Sequence, residues 1–310
     1  MSGSIEHVHS DGLAGDQPCG LLAHGLLVCK HQRLLDLWPQ VLADRDPEPL
    51  HQMRVACRHL TSTLEQFSPF LDLGDAADPR CFSRIRRALG ATRDLDVLNH
   101  QLASECLPGL PENESALLAR LVKRTARHRR KALASAARQL SRPRCRKCLR
   151  RWQRWLRHHV YTPYADDLVS TWLPELQHQV LADLFWLPGW HASPLEAPRA
   201  IAQLHQLRRR IKRARYGLLN LEPLKPIAFS PWIGQLKTLQ SVLGGLHDLH
   251  ALQHALDQCY GKRLHAALPT LVEKLADSRS QKWEQWQQHC RQWRSLHQRR
   301  ALRELLLLQS

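Results

Sequence analysis

Two sequence motifs occur twice in this chain, and the copies of both are separated by the same distance. HQMR at residues 51–54 recurs as HQLR at residues 205–208, and LGATRDLDVL at residues 89–98 recurs as LGGLHDLHAL at residues 243–252. Both pairs are 154 residues apart. Because self-similarity at a fixed offset is the signature of a duplicated structural unit, we predict two homologous halves.

Composition and proline spacing predict that each half is a run of helices. The chain has only 14 glycines in 310 residues, long segments rich in Leu, Ala, Arg and Gln, and no convincing strand. Prolines mark the breaks between the periodic segments. The predicted helices span residues 19–43, 49–71, 79–104, 113–140 and 143–158 in the first half and 163–186, 198–221, 230–258 and 262–302 in the second.

The predicted fold class is therefore all-α, with two helical bundles related by pseudo-twofold symmetry. We expect a disordered tail at residues 1–18, a first half at residues 19–160 and a second half at residues 161–310. The connection near residue 160 is too short to be a flexible linker, so the halves should pack directly on each other.

The charge balance indicates a negatively charged partner. Lys and Arg number 45 against 28 Asp and Glu, which gives a formal net charge of +17. The acidic first 18 residues do not have the pattern of a signal peptide, and no run of about 18 apolar residues occurs. Nine scattered cysteines suit a reducing compartment. These features predict a cytoplasmic location.

The positive charge is concentrated on one face of the two motif-bearing helices. Residues 205–216 contain six Lys or Arg residues and no acid, and the first copy meets its first acid only at Glu65. Like charges at i,i+4 spacing destabilise a helix by about 0.2 to 0.5 kcal/mol per pair, so we expect an anion to compensate them. Arginine binds phosphate through two parallel hydrogen bonds, and cations spread over about 15 Å of helix match a chain of phosphates.

These motifs resemble a known family. HxxRVxxR followed by LGxxRDLDVL, and then HxLRxxxKRxRY followed by LGxLHDL, are similar to the CHAD family, the conserved-histidine α-helical domain, over residues 20 to 300. Together with the repeat, the resemblance implies two pseudo-symmetric helical bundles that form one compact domain with a basic central groove or pore. It also implies binding of inorganic polyphosphate and association with polyphosphate granules. It implies no catalytic residue, cofactor or bound metal.

The resemblance also assigns candidate site residues position by position. The residues that match the first motif and its second copy are His51, Arg54, Arg58, His205, Arg208, Lys212, Arg213, Arg215 and Tyr216, and those that match the other motif are Arg93, Asp94, His247 and Asp248. The chain has His59, Thr61 and His247 where the family pattern prefers arginine. Because two of these departures lie in the first copy, we expect the second half to bind more strongly.

Three further cations are candidates from the sequence alone. Arg209 lies on the basic face of its helix, and Lys237 precedes the second LG motif. Arg129 interrupts an apolar stripe, where an unpaired charge would be costly, so it either reaches an acid or lines the anion groove. We include all three in the predicted polyphosphate site.

Two alternative functions remain open at this stage. Asp94 and Asp248 are interpreted as structural partners of neighbouring arginines, but together with His247 they could instead serve a divalent-metal phosphohydrolase acting on polyphosphate or a triphosphate. A basic groove with aromatic side chains could also bind nucleic acid, although the spacing of Trp152, Trp155 and the later tryptophans favours core packing.

Overall fold

The chain is helical over most of its described length, which confirms the all-α prediction. A computed structural model describes residues 17–74, 77–181, 184–192 and 198–307. The first six helices are α1 (Cys19–Ala43), α2 (Glu48–Gln66), α3 (Arg80–Ala88), α4 (Gly90–His100), α5 (Glu112–Leu140) and α6 (Pro143–Arg157). The remaining helices are α7 (Val169–Leu181), α8 (Pro198–Leu221), α9 (Pro226–Tyr260), α10 (Leu264–Ala267), α11 (Pro269–Arg294) and α12 (Leu296–Leu307).

Proline sets the starts of several helices, as the sequence predicts. The helices α6, α8, α9 and α11 each begin with a proline, whose missing N–H is not needed in the first turn and whose fixed φ suits a helix. The predicted start of α9 at residue 230 is four residues late, because Pro226 already occupies the first position and Pro231 is accommodated inside the helix.

Two long predicted helices are interrupted. The predicted helix 79–104 is divided between α3 and α4 at Leu89 and continues as a π-helical turn over Gln101–Cys106; Gly90, a poor helix former, begins α4. The predicted helix 262–302 is divided into α10, α11 and α12. The first of these breaks precedes Pro269, which disfavours a helical conformation at Leu268.

The expectation that the chain has no strand is wrong at one place. Leu71–Asp72 forms β1 and Val160–Tyr161 forms β2, and the two pair antiparallel with Leu71 opposite Tyr161. These residues and the turn after them delay the start of α7 from the predicted residue 163 to Val169. Of the predicted disordered tail, residues 1–16 lie outside the described residues, whereas Pro18 pairs with Leu168.

The apolar side chains form two hydrophobic clusters. The larger contains residues from both predicted halves, and the smaller joins the π turn and α5 to the ends of α9, α10 and α11. On α9 the larger cluster ends at Leu246 and the smaller begins at Leu249, so His247 and Asp248 lie at their boundary. The tryptophans at 152, 286 and 293 are all at most 2 % exposed, which confirms that they pack in the core.

A buried polar cluster fixes α2 against α8. The Thr63 hydroxyl donates to Asn220 Oδ1 at 3.0 Å, and Asn220 Nδ2 donates to Gln66 Oε1 at 2.7 Å. All three side chains are buried, and Gln66 and Asn220 are themselves 154 residues apart. Since buried hydrogen bonds require one relative position of their partners, this cluster sets the register of the two helices.

Truncation of Asn220 should therefore destabilise the fold. We expect Asn220→Ala to lower the free energy of unfolding by about 1 to 3 kcal/mol, because Thr63 and Gln66 lose a buried partner. The measurement is urea unfolding followed by circular dichroism. Gln288→Ala, at an exposed position of α11, should change the stability by no more than about 0.5 kcal/mol; equal losses in the two variants would contradict the role of the cluster.

Candidate polyanion-binding site

Four cations, here called the central group, lie where α2 and α8 pack on each other. Arg54 and Arg58 on α2, and Arg208 and Lys212 on α8, are all partly buried. Burial, and secondarily Arg208, Arg58 and Arg54, lower the pKa of Lys212 to about 7. Arg58 also lowers the pKa of Arg208. Within the described residues, no carboxylate lies within 4.0 Å of these four side chains, so their repulsion is not neutralised by direct ion pairs.

The two repeated motifs meet in space, and they do so twice. A Cβ atom added to Gly90 would lie 3.5 Å from the Arg54 guanidinium, and one added to Gly244 would lie 3.9 Å from the Arg208 guanidinium. The glycine of each second motif thus lies against the arginine of the first motif. The two arginines differ in their other contacts: Arg54 Nη1 donates to the Arg86 carbonyl at 2.7 Å, whereas the buried Arg208 Nε has no hydrogen-bond partner among the described residues.

Tyr216 positions the cations around it. Its side chain is buried, and its hydroxyl accepts a hydrogen bond from Arg58 Nε at 3.1 Å. The guanidinium carbons of Arg58 and Arg215 lie 5.9 and 5.7 Å from the ring centroid, within the range of a cation–π contact. The His59 ring packs edge-on at 4.5 Å, and Arg215 Nη1 donates to Gln240 Oε1 at 3.2 Å.

Three predicted histidines border this group of cations. The rings of His205 and His247 are 5.7 Å apart. Burial and then Arg208 lower the pKa of His247 to about 4, burial and Arg208 also lower the pKa of His205, and burial and Arg93 lower that of His51. All three are therefore neutral at pH 7 without a ligand, and each offers one N–H donor.

The expected direct ion pairs of Asp94 and Asp248 are not formed within the described residues. Asp94 is exposed and acts on Arg54 through its charge, raising the pKa of that arginine against the effect of burial. Burial raises the pKa of Asp248, and Arg208, Lys212 and Arg93 oppose this effect. Both carboxylates thus offset part of the positive charge from a distance.

An open recess of about 880 Å³ lies beside Asp248 and contains a cation that the sequence analysis missed. Its lining includes Arg93, Asp248 and Lys282 of α11. A Cβ atom at Gly245 would lie 3.1 to 3.2 Å from the Lys282 side chain, so the lysine packs closely against this glycine. The sequence feature that could have indicated a close neighbour here is the second glycine of LGGLHDL, which stands where the first copy has Ala91.

Arg129 belongs to a structural ion-pair cluster and not to the central group. Its Nε lies 2.7 Å from Asp96 Oδ1 and its Nη1 lies 2.5 Å from Asp44 Oδ2. The hydrogen bonds to these two carboxylates raise the pKa of Arg129 despite its burial. Its donors connect α5 to α4 and to the end of α1, which is the ion-pair alternative that the sequence left open.

Three other predicted cations point away from the centre. Arg209, Arg213 and Lys237 are exposed. Arg209 and Arg213 line a shallow outer recess together with His205, and Arg213 Nε lies 3.8 Å from the half-exposed Glu65 carboxylate. The basic face predicted for α8 is therefore divided between an inward row and an outward row.

The described residues contain no group of three or more His, Cys, Asp or Glu side chains arranged to hold a metal ion. Cys145 and Cys148 are partly buried and line a recess with Cys81 between α3 and α6.

Comparison with known proteins identifies the fold. A family model described as "CHAD domain" matches residues 30–257. The chain belongs to the CHAD domain family. Among solved structures, the CHAD domain from the plant Ricinus communis has 22% identity and a TM-score of 0.62, covering 99% of this chain and 98% of that chain. PptA from Streptomyces chartreusis has 17% identity and a TM-score of 0.63, covering 88% and 99%. No curated protein matches the sequence.

The CHAD match includes both copies of both motifs but ends before α11. Lys282, which lines the recess beside Asp248, therefore lies outside the matched segment. None of the helices in the described ranges is both long and apolar enough to cross a membrane.

The buried charge of Lys212 should make stability depend on pH. Because its pKa falls from 10.5 to about 7 on folding, the unfolded chain binds more protons between these values, and stability rises with pH across that window, by at most about 1.4 kcal/mol per pH unit before screening by water reduces it. Urea unfolding at pH 7, 8 and 9 should give a smaller rise for Lys212→Met than for the unaltered protein. Lys237→Met, at an exposed position, is the control; an unchanged slope for Lys212→Met would contradict the assignment.

Proposed function

We propose that this CHAD protein binds inorganic polyphosphate without hydrolysing it. The central group formed by Arg54, Arg58, Arg208 and Lys212 supplies the charge, and His51, His205 and His247 supply further donors at its border. Part of the affinity comes from counterion release, as in other complexes of polyanions. We further propose that this binding takes place in the cytoplasm, at polyphosphate granules.

The observation that carries this proposal is the partly buried, uncompensated charge shared by α2 and α8. A folded protein keeps such a group at a cost in stability, which an anion removes by neutralising the repulsion. The buried Arg208 Nε, which has no hydrogen-bond partner among the described residues, supports a ligand at this point. Four cations from two helices exceed what a single phosphate group engages, so an extended anion fits better than phosphate alone.

Polyphosphate is favoured over nucleic acid by the residues around the site. Binding of single strands usually relies on aromatic side chains that stack on bases. The aromatic ring at the centre, Tyr216, is buried and already faces Arg58, Arg215 and His59. Donors without stacking surfaces suit a ligand that consists of phosphates only.

The adjacent residues Arg208 and Arg209 provide a matched test of the site. Arg208→Gln should weaken binding of long-chain polyphosphate about tenfold or more, because it removes charge-assisted hydrogen bonds. Arg209→Gln, one residue away but pointing outward, should change affinity less than threefold. Arg54→Gln should have an intermediate effect, since Arg54 is partly committed to the Arg86 carbonyl.

The measurement is isothermal titration calorimetry at 50 and 200 mM salt. The Arg208 variant should also show a shallower salt dependence, by roughly 0.7 in the slope of log K against log salt. Equal losses for Arg208→Gln and Arg209→Gln would indicate non-specific attraction to net charge. Undiminished binding by Arg208→Gln would refute the proposed site.

The absence of hydrolysis has its own test. Protein incubated with polyphosphate or tripolyphosphate and Mg²⁺ or Mn²⁺ should release no phosphate above a blank without protein. Metal-dependent release that is lost in Asp248→Asn would overturn the non-enzymatic proposal and establish a phosphohydrolase.

A further inference from the structure

The excess positive charge of the chain comes from one segment that lies outside the central group. Residues 115–165 contain 16 of the 45 Lys and Arg residues and none of the 28 Asp and Glu residues, so the rest of the chain is almost balanced, with 29 cations against 28 acids. The segment consists mainly of α5 and α6, joined at Ser141 and Arg142. The net charge of +17 is therefore a property of two helices.

These cations face solvent. All the Lys and Arg residues from 120 to 157 are exposed except Arg129, which is held by Asp44 and Asp96. The exposed ones are here called the α5–α6 surface. Several are spaced so that like charges repel along the helix, as at Lys123, Arg127 and Lys131. Nothing within these two helices neutralises them, because their only acids, Glu112 and Glu114, lie in the first turn of α5.

A recess between α3 and α6 borders this surface, and the last turn of α3 separates it from the central group. It is open to solvent, contains about 1040 Å³ of free space, and is lined by Arg87 on α3 and by Arg142 and Arg144 at the start of α6, among others. Arg84 also lines it but is paired with Asp78 at 2.6 Å. On the inner side of α3, the Arg86 carbonyl accepts the hydrogen bond from Arg54. Arg86 and Arg87 are consecutive, so the last turn of α3 lies between the central group and the recess.

We propose that the α5–α6 surface is a second binding site for the same polyphosphate chain, which leaves the central group over the last turn of α3 and continues through the recess. This inference rests on the proposed function. Short polyphosphates occupy the central group alone, and long ones engage both sites as one molecule. The second site raises affinity through effective concentration, because the far end of a bound chain is held near it.

The side chains on the α5–α6 surface favour this ligand over nucleic acid. The tryptophans of α6, Trp152 and Trp155, are buried, and their indole N–H groups donate to the carbonyls of Asp78 and Asp72. The exposed cations therefore offer charge without a stacking surface. The recess lies on the path between the central group and the α5–α6 surface, which favours a single chain that reaches both.

Two variants with equal charge loss test the proposal. The surface variant replaces Arg146, Lys147, Arg150 and Arg151 of α6 with glutamine. The control variant replaces Lys262, Arg263, Arg291 and Arg294, which are also exposed but belong to the other half of the chain. Affinities for tripolyphosphate and for long-chain polyphosphate are measured at 50 and 200 mM salt, with thermal unfolding to check that both variants are folded.

The surface variant should bind tripolyphosphate like the unaltered protein but long-chain polyphosphate at least tenfold more weakly, with a salt slope lower by roughly 3, at about 0.7 per lost contact. The control variant should change both affinities less than threefold. If the two variants behave alike, or if the surface variant retains long-chain affinity, the second site is refuted while the central site stands. If the unaltered protein binds neither polyphosphate, the proposed function itself fails.

Cysteine labelling tests whether polyphosphate occupies the recess, independently of the affinity measurements. Cys145 and Cys148 line the recess, whereas Cys29 is exposed on α1. Maleimide labelling resolved by peptide mass spectrometry should show protection of Cys145 and Cys148 by long-chain polyphosphate, no protection by tripolyphosphate and no change at Cys29. Protection by both ligands or by neither would refute the path through the recess. Displacement of long-chain polyphosphate by single-stranded RNA at equal phosphate concentration would assign the surface to nucleic acid instead.

Discussion

The candidate site depends on α2 and α8 remaining packed together even though the cations on their facing sides repel each other. Like charges would move two unconstrained helices apart, yet here they lie beside a buried hydrogen-bond cluster of Thr63, Gln66 and Asn220 and beside Tyr216. The uncharged contacts therefore hold the charged ones at close range. An anion that enters this site finds donors already arranged, and it loses less free energy to ordering than it would on mobile surface side chains.

The net positive charge of the chain does not come from the region that contains the candidate site. The high net charge and the repeated basic motifs belong to different parts of the structure. The central group lies in a part of the molecule that is nearly neutral overall, where Asp94 and Asp248 offset part of the charge. The surplus resides on α5 and α6. Specific binding and general attraction to polyanions can therefore be altered by separate mutations.

Most of the fold and much of the site could be predicted from the sequence because they follow local patterns. Helix starts at proline follow from local patterns, and the repeated motifs include Arg54, Arg58, Arg208 and Lys212. The sequence placed Arg209 and Arg213 in the same site, although the structure exposes them. What could not be predicted depends on contacts between distant segments. The partners of Arg129 come from two other helices, and no local pattern predicts them.

The same limit explains the other differences. Whether a long periodic segment bends depends on tertiary contacts, so the break at Leu89 was not visible in the sequence. The two-residue strands β1 and β2 are too short to show alternation and exist only because their segments meet. Lys282 is far from every motif, and its relation to Gly245 appears only when α11 packs on α9.

The place of Lys282 makes the two ends of the site unequal. The Lys282 side chain packs against Gly245 of the second motif, whereas Ala91 occupies the equivalent position in the first motif. A linear polyphosphate reads the same from either end, so it has no polarity that could match this difference. Under the proposed function, either terminus of the polyphosphate can therefore enter the site first, and the difference between the two halves does not fix the direction of the bound chain. A protein with such a site would stay bound along a polymer without being oriented by it.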